Sequence, residues 1–317
     1  MATDATIHKE VKRSPNVFEK GWSYLADHKA RWLFVTPSML ILIVLVAYPT
    51  YYLIRLSLSR YDMAFMDQPV FIGFGNFVKL FSDHNFLVAV KNTFMISIGA
   101  VLIEFLLGLG LALLVFEPLR GSYLLKVLLI IPLMIPPVVS GLNFRLILDT
   151  FGPLNGILSI FGLPAVNWVG VPNLARMAVI LTDVWQWTPF IFVIILAALN
   201  AIPGQLIDAA RVDGANDWKL FRHIIWPMII PAIAVALTFR FIDALKLFDI
   251  VYMETFGGPG DATQVVSLYV YRTAFRFGKL GYASTMGVVI LIFSTLVVWG
   301  VLRVLRVERR LGWEENK

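Results

Sequence analysis

Asp208-Ala-Ala-Arg-Val-Asp-Gly-Ala-Asn-Asp-Trp-Lys-Leu-Phe-Arg-His-Ile-Ile-Trp-Pro227 is a charged, glycine-punctuated stretch between two long apolar segments. Lipid cannot hydrogen-bond its polar side chains, so the stretch must lie at a membrane face, within reach of a soluble partner. Leu206, Ile207, Ala210, Val212, Ala215 and Trp218 alternate with Asp208, Arg211, Asp213, Asn216, Asp217 and Lys219. That pattern predicts a short amphipathic helix and turn over about 204–219. Ala209, Ala210 and Gly214 leave a surface of small residues on which another protein can pack closely. Pro203-Gly204 ends the apolar segment before it, and Pro227 and Pro231 open the one after it.

The rest of the chain explains why a polar stretch stands out. Of 317 residues, 58% are hydrophobic and only 15% charged, where a soluble protein carries about 25% charged residues. The excess falls in blocks of the length a bilayer requires, about 20 residues. Six such spans are read, at about 32–57, 87–115, 123–148, 175–199, 223–247 and 284–305. Pro132, Pro136 and Pro137 interrupt the third, which should kink. The expected architecture is an all-α integral membrane protein. Residues 1–31 would form a cytoplasmic interfacial segment, 32–307 a six-helix transmembrane domain, and 308–317 a cytoplasmic tail. Phe18, Trp22 and Leu25 lie at helical spacing in the first of these.

The net charge of +6 is a topology signal rather than a mark of nucleic acid. With the amino terminus inside, the inner segments hold sixteen Lys and Arg against about eight outside. That balance places both termini in the cytoplasm. The first 31 residues are too polar, and the first span too long, for a cleavable signal peptide. Zero cysteines remove disulfides, thiolate metal sites and cysteine nucleophiles together. The connections 149–174 and 248–283 carry turn chemistry in Asp149-Thr-Phe-Gly-Pro-Leu-Asn-Gly and Thr255-Phe-Gly-Gly-Pro-Gly-Asp. Leu268, Tyr271, Arg272 and Phe275 suggest an outer amphipathic helix.

Asp208-Ala-Ala, three residues, Gly214, nine residues, Ile224, one residue and Trp226-Pro227 resemble the EAA motif of binding-protein-dependent ABC importer permeases. Asp208 stands for the motif's Glu and Trp226 for its Leu, which keeps a carboxylate and an apolar group. Three further elements resemble the family in the right order. Pro37–Tyr61 is similar to its first span, ending in a Tyr-Pro and a Ser-Leu-Ser-like turn. Gly73-Phe-Gly-Asn-Phe-Val-Lys-Leu-Phe81 is similar to its outer Gly-x-x-Asn-Phe element. Thr255–Thr263 is similar to the Gly-Gly-Pro-Gly turn of the carbohydrate branch. The chain looks most like the first of two permeases in a maltose-type importer of sugars, polyols or glycerophosphodiesters.

That resemblance implies a six-helix type I importer permease fold in the bacterial or archaeal cytoplasmic membrane. Its implied partners are a second permease subunit, an ABC ATPase homodimer or heterodimer and an outer solute-binding protein. The chain lacks a Gly-x-x-x-x-Gly-Lys-Ser/Thr loop, so ATP and magnesium would belong to the ATPase, with no cofactor or metal here and no enzymatic step of its own. The inner helix at 204–219 would dock on the ATPase through Asp208, Ala209, Ala210, Arg211, Asp213 and Gly214. ATP-driven closure would then move that helix as a rigid lever on the fifth span.

Ionisable groups inside spans are costly and usually face a cavity or a partner. Asp183, Gln186, Trp187 and Phe190 share one face of the fourth span. Arg240 and Asp243 align similarly on the fifth, with Lys246 nearby. In maltose-type relatives these stretches line the sugar site, which makes Asp183, Trp187, Arg240 and Asp243 the first candidates for solute contact. Aromatic faces stack on sugar rings, while charged groups hydrogen-bond hydroxyls. Ion pairing competes with that role: Arg240 and Asp243 could neutralise each other, Asp183 could pair with Lys246 or Arg240, and Glu104 could join an ion pair between subunits. An unpaired Arg240 would favour an anionic sugar phosphate or sulfonate.

Two other classes fit less well. An ion-coupled secondary transporter or channel would have no use for an inner coupling helix, and no inverted symmetry is evident. A membrane enzyme would need a catalytic constellation, but His8, His28, His84 and His223 stand at no metal-ligand or triad spacing.

Overall fold

Five helices in the computed structural model are long and apolar enough to cross a membrane: Val35–Ser57, His84–Phe116, Pro172–Asn200, Asp217–Ala244 and Leu280–Gly300. The structure describes residues 30–116 and 122–305. The expected interfacial helix at Asn16–Arg31 and the tail at 308–317 lie essentially outside these residues. The chain divides at Arg55 into two units.

The first unit is the body of helix α1 (Ala30–Ser57), which carries Pro37 and Pro49 inside it. Thr50 Oγ1 donates back to the Val46 carbonyl at 2.7 Å, close to the acceptor that Pro49 leaves without its usual partner. Tyr48-Pro49 therefore sits inside the helix rather than ending it.

The second unit begins with a two-residue antiparallel ribbon, β1 (Ser59–Arg60) on β2 (Val70–Phe71), with Ser59 opposite Phe71. It is a small departure from an all-α chain. Helix α2 (Gly75–Phe81) follows. The buried Asn76 Nδ2 donates to the Ser57 and Ser59 carbonyls at 3.1 and 2.9 Å, which gives the Gly-x-x-Asn-Phe element its structural purpose. Helix α3 (His84–Phe116) runs to the next connection.

The proline-rich third segment is more than kinked. Helix α4 (Ser122–Ile130) and a 3₁₀ turn (Ile131–Met134) meet α5 (Pro137–Ile147) at a bend of 99°. Pro136 and Pro137 lack the N–H groups that would continue the ladder. A sixth crossing exists only if this pair counts as one broken span. After α6 (Pro153–Ile160) comes α7 (Pro172–Asn200). Then follow α8 (Gly204–Val212), α9 (Asp217–Leu220), a π turn (Phe221–Ile225) and α10 (Trp226–Ala244). The last three make one continuous span from Asp217, so the fifth span starts before its prolines. Helices α11 (Asp249–Glu254) and α12 (Val266–Tyr271), the latter extended by a π turn (Arg272–Arg276), precede α13 (Leu280–Leu305).

Lipid tails are as apolar as leucine, so close packing and polar contacts, rather than hydrophobic burial, hold such helices together. Helix α3 illustrates both. Gly108 lets α3 approach α7 so closely that a Cβ there would lie 2.9 Å from Ile191 Cγ2 and 3.1 Å from the Phe192 nitrogen. Ser97 Oγ donates across to the Ala244 carbonyl at 2.8 Å, joining α3 to the end of α10. At the opposite end of the bundle, Ala112, Val115, Ile195, Leu199, Leu220, Ile225 and Ile229 form one buried cluster, against which Ile207 and Ala210 of α8 pack.

The turn at Thr255–Gln264 is clamped from several elements. Phe256, Gly257 and Gly260 all have positive φ. Asn92 Nδ2 donates to the Asp261 and Gln264 carbonyls at 2.7 and 3.1 Å, and Arg176 Nε to the Ala262 carbonyl at 2.9 Å. Beside it, Asp83 accepts from the Tyr282 and Tyr269 hydroxyls at 2.6 and 2.8 Å. Burial alone would raise the Asp83 carboxyl, but these two bonds and two backbone amides hold it below its usual value.

Candidate functional site

The Asp208–Pro227 stretch folds as an elbow. Helix α8 ends in a Schellman motif: the Ala215 amide donates to the Ala210 carbonyl at 2.9 Å and the Gly214 amide to Arg211 at 3.1 Å. Gly214 has φ 78°, the left-handed conformation this motif needs and glycine supplies without strain. Among the described residues nothing lies within 4 Å of a Cβ placed there. Its requirement is the turn, not packing within the chain. Asn216 then caps α9, its Oδ1 accepting from the Lys219 amide at 2.9 Å. The single helix expected over 204–219 is therefore two, hinged at 213–216. Asp208, Ala209, Arg211, Asp213 and Gly214 are exposed and Ala210 is half-buried, so one side of α8 faces outward while Ile207 and Ala210 seat it on the core.

The charged groups of the spans converge on Arg240. Its side chain is only 1% exposed, and four of its five N–H groups are committed. Nε and Nη2 donate to Glu104 Oε2 and Oε1 at 2.7 and 3.0 Å as a two-pronged pair. Nη2 also donates to Asp183, and Nη1 to Asp243 Oδ2 at 3.0 Å. The guanidinium carbon lies 5.0 Å from the centre of the Trp187 ring, close enough for cation–π attraction. Helices α3, α7 and α10 are thus joined by one buried network.

This chooses among the alternatives that the sequence left open. Glu104 pairs within the chain, held by Arg240, rather than between subunits. Asp183 pairs with Arg240 and not with Lys246, which is exposed. Arg240 is not the unpaired cation that would call for an anionic solute, because three carboxylates already surround it.

The predicted set therefore splits by accessibility. Asp183 and Gln186 are fully buried, Trp187 and Phe190 half-buried with ring centres 6.2 Å apart, and the Asp243 side chain 53% exposed. Gln186 Nε2 donates to the Ile135 carbonyl at 2.7 Å, beside the break between α4 and α5. Sequence reasoning missed Glu254, a fully buried carboxyl at the end of α11. The signal available was one acid directly after the apolar run Ile250–Met253. Burial pushes this carboxyl up to about 8. Among the described residues no group of three or more His, Asp or Glu is arranged to hold a metal ion.

Known proteins resemble this chain over almost its whole length. The trehalose/maltose transport system permease protein MalF of Thermococcus litoralis is 35% identical over 86% of this chain and 93% of its own. The sulfoquinovosyl glycerol transport system permease protein SmoG of Agrobacterium fabrum is 35% identical over 90% of this chain and 93% of its own. A bacterial ABC transporter that imports the acidic polysaccharide alginate matches in structure with a TM-score of 0.79. It is 25% identical, over 90% of this chain and 98% of that one. The profile of the family described as binding-protein-dependent transport system inner membrane component matches residues 104–310. The chain therefore belongs to that family and has the type I importer permease fold.

Proposed function

We propose that this chain is one of two permease subunits of an ATP-driven importer for a sugar or sugar-like solute. An outer binding protein delivers the solute, and alternating access carries it across the cytoplasmic membrane. ATP is hydrolysed by separate ATPase subunits, and both termini of this chain lie in the cytoplasm. The observation that carries this reading is the elbow. An exposed helix, α8, is joined by a four-residue turn to the span that holds Arg240. A push on Asp208, Ala209 or Arg211 by the ATPase reaches the span through Ile207 and Ala210, which pack on the same cluster as Leu220, Ile225 and Ile229.

The solute path on this side runs between α7 and α10, past Trp187, Phe190 and Asp243, the accessible members of the predicted set. Trp187 offers a ring face, and Asp243 a carboxylate that hydroxyl groups can reach. Asp183 and Arg240 act from behind, fixing the Trp187 and Asp243 positions. Relatives named for trehalose, maltose and sulfoquinovosyl glycerol support a sugar-type cargo. The saturation of Arg240 favours recognition through hydroxyl groups over recognition of an anion by that residue.

A thermal-shift screen of the cognate binding protein with sugars, polyols, sugar phosphates, sulfonates, amino acids and metal ions tests the cargo class. A shift by sugars or polyols supports this reading, and shifts confined to amino acids or metal ions would overturn it. Uptake by Arg240→Ala with charged and neutral solutes tests the role of Arg240. A selective loss of anionic solutes would restore the anion reading.

A further inference from the structure

Five side chains among the described residues hold buried oxygen atoms that have no hydrogen-bond partner. Four of them, Ser140, Asp183, Gln186 and Glu254, fall on α5, α7 and α11, three helices that pack on one another. Unmatched buried polar atoms carry a desolvation cost with no return, so native structures hold few of them. Their concentration at one helix junction needs a reason.

The geometry of the junction supplies one. Thr182, one residue before Asp183, lies beside the Glu254 carboxyl, yet its hydroxyl donates to the Ala178 carbonyl at 3.0 Å. Gln186 spends its amide N–H on the Ile135 carbonyl, which leaves its Oε1 free. Asp183 gives Oδ2 to Arg240 and keeps Oδ1 unmatched. Apart from the Ser140 hydroxyl and the protonated Glu254 carboxyl, which can each donate as well as accept, the free atoms are oxygens that accept hydrogen bonds.

A Cβ at Gly141 would lie 3.0 Å from the Ile250 Cα and carbonyl oxygen and 3.1 Å from Met253 Cβ, and Arg145 Nη1 donates to the Met253 carbonyl at 3.3 Å, so α5 and α11 bury these oxygens through a close glycine contact. Helix α5 springs from the bend at Pro136-Pro137, and α11 is only six residues long. An alternating-access protein has a second conformation in which groups stranded in the first can be matched.

We infer that Ser140, Gln186 and Glu254 line the outer part of the solute path when the chain opens outward, where they accept hydrogen bonds from the hydroxyl groups of a neutral, polyhydroxylated solute. This rests on the importer reading above, and it adds a layer of selectivity on the outer side of Trp187 and Asp243.

This chain has no cysteine, so label on it reports the introduced thiol once the chain is separated from its partners. Ser140→Cys, Glu254→Cys, Trp187→Cys and Val179→Cys are made singly in the complete transporter. Each is treated with 2-sulfonatoethyl methanethiosulfonate in two states, nucleotide-free and trapped with ATP and vanadate. Ser140→Cys, which is nearly isosteric, and Glu254→Cys should react about tenfold or more faster in the trapped state. The core position Val179→Cys should stay unreactive in both. If Trp187→Cys gains reactivity while Ser140→Cys and Glu254→Cys stay closed, the inference fails and the importer reading stands. If none of the three changes, the importer reading fails with it.

Uptake gives a second readout, using the radiolabelled sugar that shifts the binding protein furthest in the screen above. Ser140→Ala and Glu254→Leu should raise KM roughly three- to tenfold with kcat within about twofold. A purely structural role would lower kcat or protein yield at constant KM, and that result would overturn the inference.

Discussion

Arg240 Nε donates to Glu104 Oε2 at 2.7 Å, joining α10 to α3 across 136 positions of sequence. Glu104→Leu removes the two-pronged half of the network and leaves the guanidinium with Asp183 and Asp243. Removing one partner of a buried pair costs about 3–5 kcal/mol where the remaining charge goes uncompensated. Because two carboxylates remain here, the expected loss is at the low end, about 3 kcal/mol. Thermal unfolding of the assembled transporter should show it as a drop of several degrees. Arg240→Lys should not substitute for arginine, since an ammonium cannot form the forked pair with Glu104. Unchanged melting in both variants would remove the network's structural role.

Gly108 and Gly110 separate packing from helix propensity within one turn of α3. A Cβ at Gly108 would press on Ile191 and Phe192, whereas one at Gly110 would meet nothing within 4 Å. Gly108→Ala should therefore destabilise by about 1–3 kcal/mol through overpacking. Gly110→Ala should be neutral or stabilising by up to about 1 kcal/mol, because alanine is the better helix former. Equal melting temperatures for the two variants would contradict the close approach of α3 and α7.

Much of this architecture was legible from apolar run length and proline placement, because a bilayer imposes a span of fixed size. The position of the elbow was legible too, since charge cannot remain in lipid, whereas its break into two helices at Gly214 was not. What one sequence could not give was pairing across helices. Glu104 and Arg240 are far apart in the chain, and no local period shows that they meet. Glu254 looked like part of a polar outer loop, because its burial depends on α5 and α7 folding over α11. The bend at Pro136-Pro137 was expected as a kink, but its 99° depends on what the two halves pack against.

Glu254 links stability to pH with a definite sign. Burial raises its carboxyl from the ordinary 4.5 to about 8, so the folded chain holds a proton that the unfolded chain gives up. Its contribution is fully present below pH 4.5 and is lost as pH rises through about 8. The melting temperature of the transporter should fall across this window, and Glu254→Gln should flatten the fall. A wild-type profile that matches Glu254→Gln at every pH would show that the carboxyl is not buried in its neutral form.

Gly214→Val places a β-branched residue at φ 78° in the turn that ends α8. The left-handed conformation costs such a residue about 1–2 kcal/mol or more, and the expected outcome is a misdirected elbow. The ATPase should co-purify at reduced yield and uptake should fall, while the spans melt as in wild type. Gly204→Ala is the control, since glycine there has no positive φ and an added Cβ meets nothing within 4 Å. Normal ATPase recovery with Gly214→Val would exclude the elbow as the docking element.

The most direct test of the account is solute uptake into proteoliposomes containing this chain, its partner permease and the ATPase, with the binding protein outside. The account predicts uptake that requires both internal ATP and the loaded binding protein, and that persists when proton and sodium gradients are collapsed. Uptake driven by an ion gradient without ATP would contradict it and establish a secondary transporter instead.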